Sequence, residues 1–251
     1  MNTAWAGCRV ICLDTVDSTN RYARQLAREG AAHGTLVMAR EQTAGRGRRG
    51  RSWISPAGDG LFMSLILRPG SYEAAKGLSL QAALAVARAI ARVTGLDARI
   101  KWPNDIVIAG RKVCGMILEM DACEGGLSVV LGVGINLHQR DFPEEIAQTA
   151  SSLDLLSGTR TDDTAMVAAF LEEIAAAVDS AAADYDAFLA DYRARSATLG
   201  QRVRVFAGDD SFEGVAAEVT PSGSLVVVQD DGSASEVLAG DVSVRGLMGY
   251  V

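Results

Sequence analysis

Residues 40–53 restrict the fold of this chain more than any other segment, because they place five arginines among three glycines. The glycines spell G-x-G-x-x-G, a pattern that marks a dinucleotide-binding turn only when a helix begins directly after it. A short strand at 35–39 can precede the pattern, but Pro56 and Gly58 exclude a regular helix after it. The sequence therefore argues against a Rossmann fold. We call residues 40–53 the arginine–glycine loop and expect it to hold an anion with its own side chains.

The charge of this loop opposes that of the whole chain, which carries 24 Lys and Arg against 31 Asp and Glu. Guanidinium groups on a backbone that can approach a ligand closely are suited to phosphate or carboxylate. Trp53 adds a flat apolar face at the end of the loop. The net charge of -7 argues against a general nucleic-acid binder, whose affinity depends on neutralising phosphates.

Length and residue types limit the class of protein further. A chain of 251 residues suits one large domain, or one domain and a small second one. No apolar run reaches the about 18 residues of a membrane span, and the N-terminus lacks a secretory signal pattern. The four cysteines show no metal-ligand spacing and the two histidines are far apart, so we expect no fixed metal cage. Reduced thiols predict a cytoplasmic protein.

Periodicity and turn signals predict an α+β architecture rather than a doubly wound parallel sheet. Strands are expected at 8–14, 35–39 and 61–67 and in a meander over 99–137, and helices at 20–28, 73–93 and 162–195, the last interrupted near Ser180. Residues 138–162 are expected to be irregular. Five short strands separated by turns follow Gly200 and predict a small SH3-like barrel. The predicted division is a catalytic domain at 1–197 and the barrel at 198–251.

Three further segments carry side chains that suit a ligand site. Residues 17–20 (DSTN) provide N-cap chemistry at a helix start, where free N–H groups can meet a polar ligand. Residues 101–105 (KWPND) form a turn before Lys112, which opens an apolar strand and can project into a pocket or into solvent. The glycines of 132–136 (GVGIN) mark a close approach of backbone or ligand to a strand. Each segment alone has a purely structural interpretation as a helix cap, a hairpin turn or a strand end.

Together, these segments resemble the biotin–protein ligases. The matching stretches follow in the family's order and spacing, at 17–20, 42–51, 101–105, 111–115 and 132–136. The resemblance covers essentially the whole chain and implies a mixed sheet with flanking helices, like class II synthetases and biotin–lipoate ligases, before an SH3-like barrel. It implies that biotin and ATP give biotinyl-5′-adenylate and pyrophosphate. A lysine of a biotin carboxyl carrier protein would then take the biotinyl group.

The resemblance also implies roles for individual residues. Biotin contacts are expected from Ser18, Thr19, Asn20, Gln42, Gly45, Arg46, Gly47, Arg48, Lys112 and Gly115. Nucleotide contacts are expected from Arg48, Arg51, Trp53, Asn104, Asp105, Lys112 and Asn136, with Arg245 of the barrel nearby. Lys112, Arg48 and Asp105 would be catalytic. Magnesium would arrive with ATP and lie near Asp105, and no tightly bound cofactor is expected.

Three alternatives remain at this stage. A lipoate or octanoate transferase of similar fold is disfavoured by the arginine–glycine loop together with the KWPND turn. A biotin-responsive DNA-binding repressor would need a recognition helix, and only sixteen residues precede Asp17, so no operator binding is expected. A catalytically inactive biotin binder is disfavoured by intact Arg48 and Lys112. An exposed sheet edge could mediate a homodimer, and no membrane partner is expected.

Overall fold

Two separate β-sheets organise this chain in the computed structural model, which describes residues 5–50, 53, 56–123, 126–207, 210–238 and 242–246. The strands of the larger sheet are β1 (Arg9–Val16), β2 (Thr35–Gln42), β3 (Gly60–Leu67), β4 (Arg99–Lys101), β5 (Asp105–Ile108), β6 (Arg111–Cys123) and β7 (Gly126–Asn136). They lie in the order β1-β2-β3-β7-β6-β5-β4. Strands β1 and β2 are parallel and the other neighbours are antiparallel, so the sheet is mixed, as the sequence predicts.

Five α-helices accompany the larger sheet in the described part of the chain, and the arginine–glycine loop contains one short 3-10 helix at Arg48–Gly50. The α-helices are α1 (Thr19–Arg28), α2 (Tyr72–Thr94), α3 (Leu153–Ser157), α4 (Asp163–Ala183) and α5 (Tyr185–Ala194). Helix α2 begins where the Ser71 side chain accepts a bond from the Ala74 N–H, and it ends at Gly95 with φ 72°. The predicted interruption near Ser180 lies instead at Asp184, whose side chain caps α5. Helix α3 falls in a stretch expected to be irregular, because five residues are too few to show a helical period.

The two faces of the larger sheet are covered unequally. Alternate residues of β3 point to opposite faces, so Leu65 and Leu67 join the core under α2 and α4 while Ile66 packs below α1. The α1 face has a small apolar cluster, formed by Ala23, Ala27, Val37, Ile66 and Val130. Since α1 is only ten residues long, part of this face stays available for a ligand site.

The second sheet has five antiparallel strands. They are β8 (Arg202–Ala207), β9 (Asp210–Val219), β10 (Leu225–Val228), β11 (Ala234–Val237) and β12 (Val242–Gly246), in the order β11-β10-β9-β8-β12. This arrangement is consistent with the predicted SH3-like barrel. The indole N–H of Trp102 donates to the Gly223 carbonyl at 3.0 Å, and the Trp102 backbone N–H donates to Thr198 Oγ1 at 2.9 Å. The tryptophan of the KWPND turn therefore joins the second sheet to the first.

Candidate functional site

A pocket opens on the α1 face of the larger sheet, between the start of α1 and the arginine–glycine loop. Its floor belongs to neighbouring strands, where Gly115 pairs with Gly134 and Ile117 pairs with Gly132. The lining residues are Ser18, Thr19, Asn20, Gln42, Arg46, Gly47, Arg48, Trp53, Met63, Asn104, Lys112, Gly115, Met116, Ile117, Gly132, Val133 and Gly134. The pocket thus brings together residues from every segment that the sequence singled out.

The first turn of α1 is capped by a side chain from strand β2. Ser18 occupies the N-cap position in an extended conformation, yet its side chain makes no cap bond to the described backbone. Instead, Gln42 Oε1 accepts from the Thr19 N–H at 2.8 Å and lies 3.0 Å from Thr19 Oγ1. Because Gln42 ends β2, this contact fixes the start of α1 against the start of the arginine–glycine loop.

A buried polar network continues below the pocket floor. Ser64 Oγ lies 2.9 Å from Thr19 Oγ1 and 2.6 Å from Asn20 Oδ1. The Asn20 amide donates to Glu119 Oε2 at 2.9 Å. A Cβ atom on Gly132 would lie 2.2 Å from Asn20 Oδ1, so this strand position has room for the amide only as glycine.

Sequence reasoning missed Ser64 and Glu119. Each interrupts an otherwise apolar stretch of strand: Ser64 is the one hydroxyl residue in β3, and Glu119 follows Met116, Ile117 and Leu118 in β6. A polar residue in a buried strand requires a hydrogen-bond partner, and that requirement was the available signal.

The arginine–glycine loop closes through its glycines. The Trp53 N–H donates to the Gly45 carbonyl at 3.0 Å, and a Cβ on Gly45 would lie 2.3 Å from the Trp53 carbonyl oxygen. The indole ring of Trp53 then lies against the pocket floor, since Cβ atoms on Gly115 and Gly134 would come within 2.8 and 2.9 Å of ring atoms. Its indole N–H is buried and has no hydrogen-bond partner among the described residues.

Three cationic side chains converge on the pocket. Lys112 Nζ lies 2.7 Å from Asp105 Oδ1 and 5.2 Å from the centroid of the Trp53 ring. Arg48 donates to Asn104 Oδ1 at 2.7 Å. Arg46 Nη1 lies 3.7 Å from Glu119 Oε1. Such a grouping of cations over a glycine floor can receive carboxylate and phosphate oxygens.

The segment between β7 and α3 holds Lys112 in place. The Lys112 N–H donates to the Thr149 carbonyl at 2.8 Å, and the Ser151 N–H donates to the Lys112 carbonyl at 2.9 Å. The Asn136 amide donates to the Ser151 carbonyl at 3.0 Å. Backbone bonds on both sides of Lys112 therefore fix the strand from which its side chain enters the pocket.

A second cluster of charges lies beside Glu119. Arg24 Nη1 donates to Glu119 Oε1 at 3.0 Å, and the same guanidinium binds Asp121 through bonds of 2.8 and 2.7 Å. The hydrogen bonds from Arg24 lower the pKa of Asp121 from its ordinary value. Cys114 lies on the core side of the same strand, where burial raises the pKa of its thiol, so it is not a nucleophile for this pocket.

The described pocket lining leaves out three of the predicted site residues: Gly45, Asp105 and Asn136. Asp105 contacts the lining residue Lys112 through its ion pair of 2.7 Å. Arg51 and the side chain of Arg245 lie outside the described residues. Within the described ranges, no group of three or more His, Cys, Asp or Glu residues could hold a metal ion, and no helix is long and apolar enough to cross a membrane.

Comparison with known proteins gives independent evidence. Residues 12–136 match the model of the Biotin/lipoate A/B protein ligase family, and residues 198–245 match the Biotin protein ligase C terminal domain. The bifunctional ligase/repressor BirA of Bacillus spizizenii is 43% identical over 175 residues, which are 68% of this chain and 54% of that protein. The biotin–[acetyl-CoA-carboxylase] ligase of Paracoccus denitrificans is 37% identical over 224 residues, which are 86% of this chain and 92% of that protein.

Similarity to a solved structure extends over almost the whole chain. The biotin protein ligase from Aquifex aeolicus in complex with biotin and ATP superposes with a TM-score of 0.84 and 29% identity, and the match covers 95% of this chain and 99% of the Aquifex aeolicus chain. The matched part of this chain spans about half, 54%, of the length of BirA from Bacillus spizizenii, and the same share of BirA from Bacillus subtilis.

Proposed function

This chain belongs to the biotin/lipoate A/B protein ligase family, and we propose that it is an ATP-dependent ligase that attaches biotin to a lysine of a biotin carboxyl carrier protein. The observation that carries the proposal is a single pocket in which Lys112 and Arg48 share the lining with the polar start of α1. The similar protein from Aquifex aeolicus is described with both biotin and ATP. The relative from Paracoccus denitrificans is named for biotin and acetyl-CoA carboxylase.

The first step of the proposed reaction joins two anions. A carboxylate oxygen of biotin attacks the α-phosphorus of ATP, the bond to the β-phosphate breaks, and pyrophosphate leaves with the electron pair. The product is biotinyl-5′-adenylate. The two reactants repel each other, so the pocket has to supply positive charge where they meet.

Lys112 and Arg48 are proposed to supply that charge. Their present partners are Asp105 and Asn104, which hold the two cations ready at 2.7 Å each. An incoming oxyanion would take over the ammonium and the guanidinium, and both cations would stabilise the charge that develops at the α-phosphate. Asp105 would then face Lys112 as a positioning carboxylate or meet the magnesium that arrives with ATP, and the chain needs no nucleophile of its own.

We place biotin in the polar corner of the pocket, which we call the biotin corner. It comprises Ser18, Thr19, Asn20, Gln42, Gly45, Arg46, Gly47 and Gly115. Hydroxyl and amide groups there suit the cyclic urea of biotin, which offers one carbonyl acceptor and two N–H donors. Arg51, Trp53 and Asn136 are proposed for the nucleotide. Trp53 would leave the glycine floor or pack on the ligand when the pocket fills.

The second step transfers the biotinyl group. The amine of a carrier lysine attacks the acyl carbon of the anhydride, AMP leaves with the electron pair, and the amine loses a proton. A mixed anhydride reacts with water, so the arginine–glycine loop has to cover it until the carrier arrives. We propose the biotin carboxyl carrier protein of a carboxylase as that partner, and a homodimer through the exposed edge strand β1.

The division of labour along the chain completes the proposal. Residues 1–197 would carry both reaction steps and residues 198–251 the barrel. Trp102 would connect the two, because its indole and backbone both bind groups after residue 197. Its turn continues into Asn104 and Asp105, so the barrel supports the segment that holds Arg48 and Lys112.

Incubation of the protein with labelled biotin, ATP, magnesium and a carrier domain tests the proposal. The expected result is label on a single carrier lysine and release of one pyrophosphate and one AMP per label. Parallel reactions with lipoate and octanoate separate this activity from that of a lipoate or octanoate transferase. Transfer of either acid in preference to biotin, or no labelled carrier with any of the three, would overturn it.

A further inference from the structure

We propose that Glu119 is a positioning residue that sets the hydrogen-bond polarity of the biotin corner, so that Thr19 presents an acceptor to a ligand N–H. The inference rests on the proposed function. Glu119 lies outside the pocket lining and acts through Asn20 and Ser64, two buried side chains that connect it to Thr19.

The carboxylate of Glu119 fixes the orientation of the Asn20 amide. Its Oε1 receives a bond from Arg24 and faces Arg46, while its Oε2 lies 2.9 Å from the Asn20 nitrogen. A carboxylate only accepts hydrogen bonds, so Asn20 must present its NH₂ group to Glu119. The amide oxygen of Asn20 is then the atom that faces Ser64.

The single hydrogen of the Ser64 hydroxyl is therefore committed. Asn20 Oδ1 can only accept, and at 2.6 Å it takes the Ser64 hydrogen. Ser64 Oγ also lies 2.9 Å from Thr19 Oγ1, but it has no second hydrogen to give. In that contact Ser64 can act only as an acceptor.

Thr19 consequently has two neighbouring acceptors and one hydrogen. Ser64 Oγ and Gln42 Oε1 compete for the Thr19 hydroxyl hydrogen, and neither donates to Thr19 Oγ1. The lone pairs of a buried hydroxyl in the pocket lining are thus left for the ligand. The urea N–H groups of biotin are donors of the kind that this oxygen requires.

Glu119→Gln is expected to reverse this polarity without changing the size of the side chain. The oxygen of the introduced amide has to face the Arg24 guanidinium, because charge-assisted bonds are the stronger ones. The NH₂ group of that amide then faces Asn20, whose own amide turns over and presents NH₂ to Ser64. Ser64 then accepts from Asn20 and donates to Thr19 Oγ1. This bond takes one of the two lone pairs of that oxygen, so a protein donor now competes with the ligand N–H for it.

Two other effects of Glu119→Gln would also raise the biotin KM: a general disturbance of the fold, and a weaker contact with the arginine–glycine loop. These two explanations predict a different result when Ser64→Ala is added. Loss of the Glu119 charge also weakens the 3.7 Å contact with Arg46 of the arginine–glycine loop. Ser64→Ala distinguishes these explanations, because residue 64 then has no hydroxyl that can donate to Thr19 Oγ1. The polarity explanation predicts that Ser64→Ala rescues Glu119→Gln, whereas the other two explanations predict that the defects add.

The test measures KM for biotin, KM for ATP and kcat in biotin-dependent ATP–pyrophosphate exchange. Glu119→Gln is expected to raise the biotin KM about tenfold, the effect of one hydrogen bond in a buried site. The ATP KM and kcat should stay within about twofold, since Glu119 touches neither reacting group. Ser64→Ala alone should raise the biotin KM less, and the double variant should return it toward the wild-type value.

Asp121→Asn is the matched control. Asp121 lies two residues further along the same face of β6 and binds the same Arg24, but it has no contact with Asn20 in the described structure. It should leave the biotin KM unchanged. Glu119→Met, which also frees the Asn20 amide, replaces Glu119→Gln if that variant does not fold.

The outcomes separate this inference from the proposed function. No biotin-dependent exchange by the wild-type protein would defeat the proposed function. An active wild type whose Glu119→Gln variant matches Asp121→Asn, or whose double variant is worse than either single one, would defeat the polarity inference alone. Rescue by Ser64→Ala, with kcat preserved, supports it.

Discussion

Lys112 and Asp105 form an ion pair of 2.7 Å across the antiparallel strands β5 and β6, beside the pocket and largely shielded from water. The side chains are only 24% and 15% exposed, so each charge depends on the other. Removal of one partner from a buried pair leaves the remaining charge uncompensated. In the proposed function, an anionic ligand would compete with Asp105 for the Lys112 side chain.

Lys112→Ala should remove adenylate formation while the fold survives. The ammonium lies 5.2 Å from the centroid of the Trp53 ring, and a Cβ atom on Gly115 would lie 3.0 Å from its nitrogen. Loss of one well-placed donor to developing charge typically lowers kcat by about 10²–10³. Biotin-dependent pyrophosphate exchange measures the rate, and far-UV circular dichroism with a thermal melt checks the fold. Near-normal exchange by a folded variant would contradict the role of Lys112.

Alanine substitutions at two glycines of the pocket floor should disturb two different side chains, Trp53 and Asn20. Gly134→Ala puts its Cβ within 2.9 Å of the Trp53 ring, and Gly132→Ala puts its Cβ 2.2 Å from the Asn20 amide oxygen. The first should displace Trp53, and the second should disturb Asn20 and raise the Kd for biotin. Gly70→Ala is the matched control, because nothing lies within 4 Å of its added Cβ.

Calorimetry of biotin binding to the three glycine variants measures this difference. We expect Gly132→Ala to weaken binding at least tenfold, the loss of about 1.4 kcal/mol, and Gly70→Ala to bind like the wild type. Equal Kd values for Gly132→Ala and Gly70→Ala would show that Asn20 is not part of the biotin corner.

Local patterns were sufficient to predict most of the elements. Ser71 and Gly95 delimit α2 as ordinary cap residues, and alternation predicts five short strands after Gly200, which are the strands of the second sheet. Residue type alone predicted an anion site in the arginine–glycine loop and left Lys112 to a pocket or to solvent. In the structure Arg46, Arg48 and Lys112 line one pocket, and their role there stays a prediction.

Contacts between distant segments could not be predicted from the sequence. Gln42 caps α1 from a different strand, and Glu119 meets Asn20 across 99 residues of chain. No local propensity encodes either pairing. Trp102 shows the same limit: it lies within the KWPND motif, but its indole N–H donates to the carbonyl of Gly223 in the second sheet's turn.

Trp102→Phe should weaken the connection between the two sheets. Trp102 is 2% exposed, and its indole N–H is the partner of the Gly223 carbonyl. Phenylalanine keeps most of the apolar contact but leaves that carbonyl unsatisfied, which costs about 1–3 kcal/mol of unfolding free energy. Urea unfolding measures the loss, and Trp5→Phe, at a half-buried residue, is the comparison. An unchanged unfolding free energy for Trp102→Phe would contradict this connection.

A buried histidine just after β7 links the end of that strand to helices α3 and α4. His138 Nδ1 lies 2.8 Å from Asp154 Oδ2, and His138 Nε2 lies 2.8 Å from Asp163 Oδ1. Burial raises the pKa of Asp154, but the hydrogen bonds from Thr161 and His138 outweigh it, so the pKa is lower than the ordinary value. Asp154 thus contributes stability as a carboxylate.

Asp154→Asn should therefore lower the free energy of unfolding near neutral pH, and the difference from wild type should shrink at acidic pH. A carboxyl whose pKa is lowered by folding stabilises the protein above its unfolded pKa of about 3.9, and that stability is lost as the pH falls through the folded pKa. At pH 7 we expect a loss of about 1.5–3 kcal/mol, the value of hydrogen bonds to a charged group. Thermal melts of wild type and Asp154→Asn from pH 7 to pH 3 should converge at the acidic end. Asp179→Asn, an exposed control, should track the wild type throughout. A gap that persists unchanged at the lowest pH would mean that the Asp154 charge does not stabilise this cluster.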